Sequence, residues 1–457
     1  MIKKILSLTL CALMFLTASC SGQSAELLEF IDKTDSGEID LEGKTFSFGS
    51  PWYSEWYAFS DDVLPTESVE KMMTRFHSIE KEFNAKFEMV EISEDDLLKL
   101  LITGDDTPEL IDTTAQVAYN YYKSNALASL NELSAIDIND IKWGSTNFIQ
   151  YGNFGGEQYG FYPWHWEFIP QFDGTIIFNG EMIATFGGIH PYELQENGKW
   201  NWDSFETELR KYAIYDNETQ YYGAIVSYDK MAKSAIHSNG GSIITGDAET
   251  GYKFGLTSDN AIQALDWLNS LDKEDLFNSN LGIEGFTQSH LAPYWINESY
   301  YGTVFNPNDP GNNNFCPAAL NDYGFIQFPT GPQGDETDVG CFVYKNRRLN
   351  FISDVSDIES EKIGAIINYI FEPLDDSLEE GWKDLAQRLI FTENNNQKCI
   401  DNFIYILENM GYDYSVQMTS SAYDSLNSAL SSIVNGTKTA AEALSNVEAM
   451  VMSEFTK

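Results

Sequence analysis

The sequence predicts an α/β protein folded as two lobes, with several chain crossings between them and a helical C-terminus. Three observations predict it. At 457 residues the chain is too long for one simple core, so division is the default. Between residues 43 and 158 strand-like and helix-like patterns alternate, which implies a mostly parallel sheet covered on both faces. Two turn-rich segments, 155–205 and 324–334, then interrupt the alternation.

The first twenty residues stand apart from the fold. Lys3 and Lys4 precede an apolar run from Ile5 to Leu16, and Thr17-Ala18-Ser19-Cys20 follows. A basic start, a short apolar run and small residues before a cut site describe an export signal. The run is short for a membrane span. Cysteine at the cut site makes the signal resemble that of a bacterial lipoprotein, although Thr17 stands where Leu is usual. The alternative is a plain secretory signal with an incidental cysteine. Lipidation of Cys20 gives two acyl chains, enough for stable anchoring at about 0.8 kcal/mol per buried methylene. Residues 21–42 are polar and acidic and read as a tether. Within them, 32–43 resembles a calcium loop, but Gly43 stands where a bidentate Glu is needed, so no metal is expected.

The first lobe opens on Lys44-Thr-Phe-Ser-Phe48, whose alternation predicts a strand. Trp52, Tyr53, Glu55, Trp56 and Tyr57 come directly after it, where open α/β sheets bind ligands. Val69, Met72, Met73, Phe76, Ile79 and Phe83 form one apolar helical face. A strand at 85–92 follows, then a helix capped by Ser93 and ended by Gly104. Pro108-Glu-Leu-Ile-Asp112 predicts a short buried strand with Asp112 at its tip. The organising stretch comes next: Tyr159-Gly160, Tyr162, Trp164-His165-Trp166, an apolar strand ending Phe178-Asn179, and Lys199-Trp200-Asn201-Trp202-Asp203. Asn201 or Asp203 is the plausible helix cap. A strand at 223–227 leads to Asn239-Gly240-Gly241, which either lets backbone approach a ligand or forms an ordinary turn. Trp295 falls at a further strand end. Phe328-Pro-Thr-Gly-Pro332-Gln-Gly334 is a stiff link, and Glu372-Pro373 marks a third crossing.

Composition narrows the function. The formal charge is −43, from 70 acidic and 27 basic residues. That disfavours nucleic acid, whose binding rests on Lys and Arg contacts to phosphate. No phosphate loop, nucleophile elbow or paired metal histidine is present, so no cofactor and no catalytic residue is assigned. With 70 acids, carboxylate pairs for glycoside hydrolysis occur by chance and carry no information. Cys316, Cys341 and Cys399 are an odd set, either one disulfide and a thiol or three buried thiols. The outstanding signal is aromatic, 14% of residues. Sugar rings pack their C–H faces on indole and phenol rings, and their hydroxyls need polar partners once desolvated. Candidate ligand contacts are therefore Trp52, Tyr53, Glu55, Trp56, Tyr57, Asp112, Tyr162, Trp164, His165, Trp166, Asn239, Gly240 and Trp295.

Taken in order, Tyr159-Gly160 with Pro163, Phe178-Asn179, Gly187-Gly-Ile-His-Pro191, Lys199-Trp-Asn-Trp-Asp203 and Phe328-Pro-Thr-Gly-Pro332 resemble extracellular solute-binding protein family 1. Phe178 replaces a Tyr and Asn201 a Thr of the family pattern. The resemblance extends from about Gly43 to the C-terminus. It implies a two-lobed, type II periplasmic-binding-protein-like fold with hinge crossings. It divides the chain into a signal peptide (1–20), a tether (21–42), lobe one (43–160 plus about 330–373), and lobe two with the C-terminal helices (about 161–329 plus about 374–457). It implies the sugar-type receptor of a bacterial ABC importer, anchored through Cys20 to the outer face of the cytoplasmic membrane. Its ligand would be a carbohydrate, most simply an oligosaccharide, and its partners the permease subunits. The rival readings are a secreted carbohydrate-active hydrolase or lyase and a glycan-holding adhesin.

Overall fold

The computed structural model describes residues 39–51, 67–104, 106–143, 146–162, 171–303, 316–343, 348–373, 383, 384, 387 and 396–455. Its first sheet begins with β1 (Thr45–Ser50), where alternation buries Phe46 and Phe48. Helix α1 (Glu67–Glu82) lays Phe76 and Ile79 on that sheet. The Phe76 ring sits 4.8 Å from Phe87 of β2 (Lys86–Glu91). Ser93 accepts from the Asp96 amide to cap α2 (Glu94–Thr103), and Gly104 closes it in the left-handed region, as the sequence predicts. β1 pairs in parallel with β2 on one side and with β3 (Leu110–Thr114) on the other. Helix α3 (Ala115–Lys123) follows, capped by Thr114. The sheet is completed by β4 (Gly160–Phe161) and by a strand from far later in the chain.

The second sheet takes up its strands after β5 (Phe172–Asp173). Its first strand in the chain is β6 (Thr175–Asn179), buried along its whole length. Asn201 caps α4 (Trp202–Tyr212), so of the two sequence candidates Asn201 is the cap. Then come β7 (Ala224–Val226), α5 (Tyr228–Ser238), α6 (Asp259–Asp272), β8 (Phe277–Asn278), β9 (Tyr294–Asn297) and β10 (Tyr323–Ile326). The strand order is β8-β7-β9-β6-β10, with β7 parallel to both neighbours and β6 antiparallel to both of its own. Both faces are covered, as a buried mixed sheet requires. Ile176, Phe178, Tyr294 and Ile296 face one core, while Ile177, Trp295 and Phe325 face the other.

The chain then passes through β11 (Phe342–Val343) and returns to the first sheet as β12 (Arg348–Ile352). β12 is antiparallel between β3 and β4. Helix α7 (Ser360–Ile370) stays on the first lobe, with Tyr369 against Phe83 at 5.4 Å. Helices α8 (Gln397–Asn409), α9 (Ser420–Val434) and α10 (Ala440–Ser453) form the helical C-terminus, and a Thr439–Glu442 capping box starts the last.

The lobes meet at a narrow ribbon. β5 and β11 pair antiparallel, Phe172 opposite Val343 and Asp173 opposite Phe342. Gly411 lies beside Phe342 in a parallel bridge. The Tyr151 hydroxyl of lobe one fastens these passes: it accepts from the Val343 and Asp413 amides, both at 3.2 Å. One sequence expectation is corrected here. The 328–334 link does not enter lobe one: Gly331 donates to Ser238 O and Thr330 bridges Asn201, both on lobe two. The crossing comes later, at β11. Glu372 holds Lys142 on lobe one, the residues just after Pro373 lie outside the described ones, and the segment at Gly411 adds a further pass to the junction. Cys316, Cys341 and Cys399 are three buried free thiols, which settles the choice the sequence left open.

Candidate functional site

The described side chains that gather polar chemistry lie where α5 begins against the ribbon. Helix α5 follows the C-terminal end of β7, the end at which open α/β sheets place ligands. Its Lys230 donates to Asp173 Oδ1 of β5 at 2.9 Å, to Asn297 Oδ1 at the end of β9 at 2.8 Å, and to Glu298. Burial pushes the Asp173 carboxyl up to about 6, against the pull of Lys230. Burial also acts to lower the Lys230 ammonium, but Asp173 and Glu298 outweigh it and the group is held above the ordinary lysine value.

One turn along α5, Lys233 reaches the junction segment. Its Nζ lies 3.2 Å from Asp413 Oδ2 and 3.1 Å from Ser415 Oγ, and 4.3 Å from the centre of the Tyr423 ring. Burial acts against the Asp413 charge, but Lys233 and two bonds from Ser415 prevail and hold its carboxyl below the usual range. Both lysines and Tyr423 border a small cavity with Phe342 and Val343. The next residues along the same elements, Asp229 and Asp424, border an open groove of about 510 Å³. That groove continues along α9 past Asn427, Ser428 and Ser431. Asn427 Oδ1 is buried with no hydrogen-bond partner among the described residues.

Lobe one contributes a second charged cluster. Arg348 Nε donates to Asp112 Oδ2 at 2.8 Å, and Ser50 Oγ donates to the same oxygen at 2.9 Å. Glu94 accepts from Thr113 and lies 4.0 Å from the guanidinium. Asp112 is thus buried and committed to holding Arg348, which keeps one side in solvent.

The other sequence candidates fall in three groups. Trp52, Tyr53, Glu55, Trp56, Tyr57, Trp164, His165, Trp166 and the lipidation candidate Cys20 lie outside the described residues. The 52–57 stretch does follow directly on Ser50, a member of the Arg348 cluster. Tyr162 is buried against Phe148 at 4.9 Å. Trp295 and Asn239 are corrected to structural roles. Trp295 is 2% exposed and packs on Phe286 beneath the second sheet, because its place in the strand alternation points it into a helix-covered face. Asn239 spends both ends of its amide on the fold, donating to Asn260 O and Gln263 and accepting from the Gln333 amide. Gly240 ends α5 with φ of 69°, so the turn reading applies to it. Sequence reasoning missed Asp173, Lys230, Lys233, Asp413 and Tyr423. The available signal was a pair of lysines three apart, just past a predicted strand, in a chain poor in bases.

Two lobes, each built on its own sheet and joined at a ribbon of paired strands, define the type II periplasmic-binding-protein-like fold. No family model and no curated protein matches the chain. Solved structures match it over nearly all their length. A cyclo/maltodextrin-binding protein complexed with maltotetraose is 13% identical, with 92% of this chain and 98% of that chain covered at a TM-score of 0.61. The cyclic alpha-maltosyl-1,6-maltose binding protein from Arthrobacter globiformis is 12% identical, with 91% and 99% covered at 0.60. An ABC substrate-binding protein from Listeria monocytogenes in complex with cycloalternan is 16% identical, with 90% and 98% covered at 0.55.

Proposed function

We propose that this protein is an extracellular receptor of an ABC importer that captures a neutral oligosaccharide between its lobes. The observation that carries the reading is the junction: paired strands and a third pass lie side by side next to a small cavity bordered by Lys230, Lys233, Asp173, Asp413 and Tyr423, with an open groove of carboxylates and hydroxyls beyond it. Such a junction supports hinge motion, and ligand held by both lobes shifts the population towards the closed form. The similar structures named above bind malto-oligosaccharides and cycloalternan, which supports the ligand class. In this reading Arg348 and Lys230 face the ligand from opposite lobes, and the aromatic stretches 52–57 and 164–166 supply stacking surfaces. The closed receptor then docks on membrane permease subunits, and Cys20 carries the lipid that anchors it outside the cell. The protein acts by binding and does not alter its ligand.

Thermal unfolding of the mature chain against mono- and oligosaccharides tests this, with the same samples analysed for products. Ligand at 100 times its dissociation constant adds about 2.7 kcal/mol of stability. The expected result is a selective upward shift with the sugar recovered intact. Shortened or unsaturated products would make the protein an enzyme, and no shift with any sugar would remove the carbohydrate assignment.

A further inference from the structure

A further cavity among the described residues lies away from the junction. It is a groove of about 1010 Å³ on lobe two, at the upper end of ordinary ligand pockets, which run from about 300 to 1,000 Å³. Its walls are the start of α4, the face of α6, the 327–336 link and α8. Helix α4 packs on the second sheet through Phe205 against Tyr294 at 5.4 Å, α8 through Phe403 against Phe325 at 5.5 Å, and Trp267 of α6 lies 6.4 Å from Phe328 at the start of the link.

The groove is rigid and its apolar surface is aromatic. Trp202 and Trp267 stack with ring centres 4.0 Å apart and planes 1° apart. Trp202 is buried beneath and Trp267 is half-exposed above. Each indole N–H is already used: Trp200 donates to Gln327 O, Trp202 to Ser238 Oγ and Trp267 to Glu206. The Tyr405 hydroxyl donates to Glu336 O across the rim. The link is pressed against the end of α5 so closely that a Cβ on Gly334 would lie 2.0 Å from Ser238 O. These bonds fix the rings in place without a ligand, which lowers the ordering cost of binding.

The floor is polar and incompletely used. Gln195 Nε2 donates to Gln327 Oε1 at 3.0 Å and to Asn402 Oδ1 at 2.7 Å, holding both amides in register. Gln327 is 8% exposed, yet its Nε2 makes no hydrogen bond to a described residue. That donor is open to whatever enters the groove. Asp203, Glu206, Asp335, Glu336 and Asp401 border the space, and no lysine or arginine does. Anions are therefore repelled. A half-exposed indole, an open amide donor and several carboxylate acceptors suit a neutral polyhydroxylated ring.

We propose that this groove is a second carbohydrate site, taking one segment of a neutral glycan chain independently of the cleft. It rests on the carbohydrate reading above for its choice of probe. Trp267 is the stacking platform and Gln327 the open amide donor. A receptor with two such sites holds a long glycan on its surface while the cleft samples an end.

The test is isothermal titration of the mature chain with neutral tetrasaccharides of glucose, xylose, mannose and galactose at millimolar concentration. The variants are Trp267→Ala, Gln327→Ala and the cleft variant Lys230→Met, each checked for an unchanged circular-dichroism spectrum. The expected result is that at least one tetrasaccharide binds Lys230→Met within twofold of the native protein. That binding weakens at least tenfold in Trp267→Ala and severalfold in Gln327→Ala, while any cleft binding persists in both. A single site abolished by Lys230→Met and untouched by both groove variants would overturn this inference and leave the receptor standing. Binding that survives in all three variants would overturn it too. Absence of binding to the native chain would overturn both.

Discussion

Replacing Asp413 by alanine strands a lysine. Lys233 and Asp413 are 5% and 4% exposed as side chains, so the ammonium cannot turn to water when its partner goes. Removing one member of a buried ion pair costs about 3–5 kcal/mol. The structure places the value toward the lower end, because the Tyr423 ring at 4.3 Å and Ser415 Oγ remain beside the ammonium. A desolvated cation over a ring recovers about 2 kcal/mol. Two donors of Ser415 are left open at the same time, which adds to the loss. Urea unfolding followed by tryptophan fluorescence should give Asp413→Ala a loss of about 3 kcal/mol or more. The double variant Lys233→Met with Asp413→Leu removes both charges and should recover most of it, since replacing a buried pair with apolar side chains is often neutral or stabilising. A single-variant loss under about 1 kcal/mol would place this pair among exposed ones and refute the argument. A double variant no better than the single would refute it as well.

His237, T-shaped against Phe342 at 4.3 Å, has its Nε2 shut off from solvent without a partner, and burial lowers its pKa to about 4. Its contribution is complete above the unfolded value near 6.5 and is lost as pH falls through about 4. His237→Phe should remove up to about 3 kcal/mol of acid sensitivity over that window in unfolding scans. Asp173 acts with the opposite sign. Burial raises its carboxyl to about 6, so its contribution is complete below the unfolded value near 3.8 and is lost as pH rises through 6. Asp173→Asn should make stability climb more steeply with pH between those values, and an unchanged slope would contradict the shift. Tyr151→Phe leaves the Val343 and Asp413 amides without their acceptor and should cost about 1–3 kcal/mol, with weaker ligand binding in the same samples.

Much of the fold was legible because its elements obey local rules. Phe46 and Phe48 alternate, Phe76 and Ile79 share a helical face, and Ser93, Gly104 and Asn201 mark helix ends where such residues stop or start a helix. The junction was only half legible. The pass at β5 lies inside the predicted stretch, but proline and glycine at 329–334 signal a stiff turn, not which lobe it rests on. The bonds to Ser238 and Asn239 that hold it on lobe two connect residues about ninety positions apart, and no local pattern carries them. The same limit applied to the site. Trp295 is an aromatic at a strand end like the others, and only the pairing register shows that it faces a covered side. Lys230 and Lys233 read as ordinary surface lysines of a helix until Asp173 and Asp413, from the two other passes, meet them.

The two lysines also say which part of the molecule moves. Lys230 ties α5 to β5 through Asp173, and Lys233, three residues on, ties the same helix to the junction segment through Asp413. Both links are largely buried, so separating either would expose paired charges at a cost of several kcal/mol. Helix α5, β5 and the segment through Ser415 therefore travel with lobe two. On the lobe-one side the fastenings are neutral: the Tyr151 hydroxyl bonds backbone groups at 3.2–3.3 Å, Gln417 Nε2 donates to Asn153 O at 3.1 Å, and Gln116 and Asn147 donate to Met418 O and Glu408 O. Neutral hydrogen bonds are each worth only about 1 kcal/mol net. In the proposed receptor the chain would bend where its bonds are weakest, so opening and closing would turn about the lobe-one side of the ribbon. The charge pairs on lobe two would then stay assembled through the motion, and a ligand entering the open form would meet them already formed.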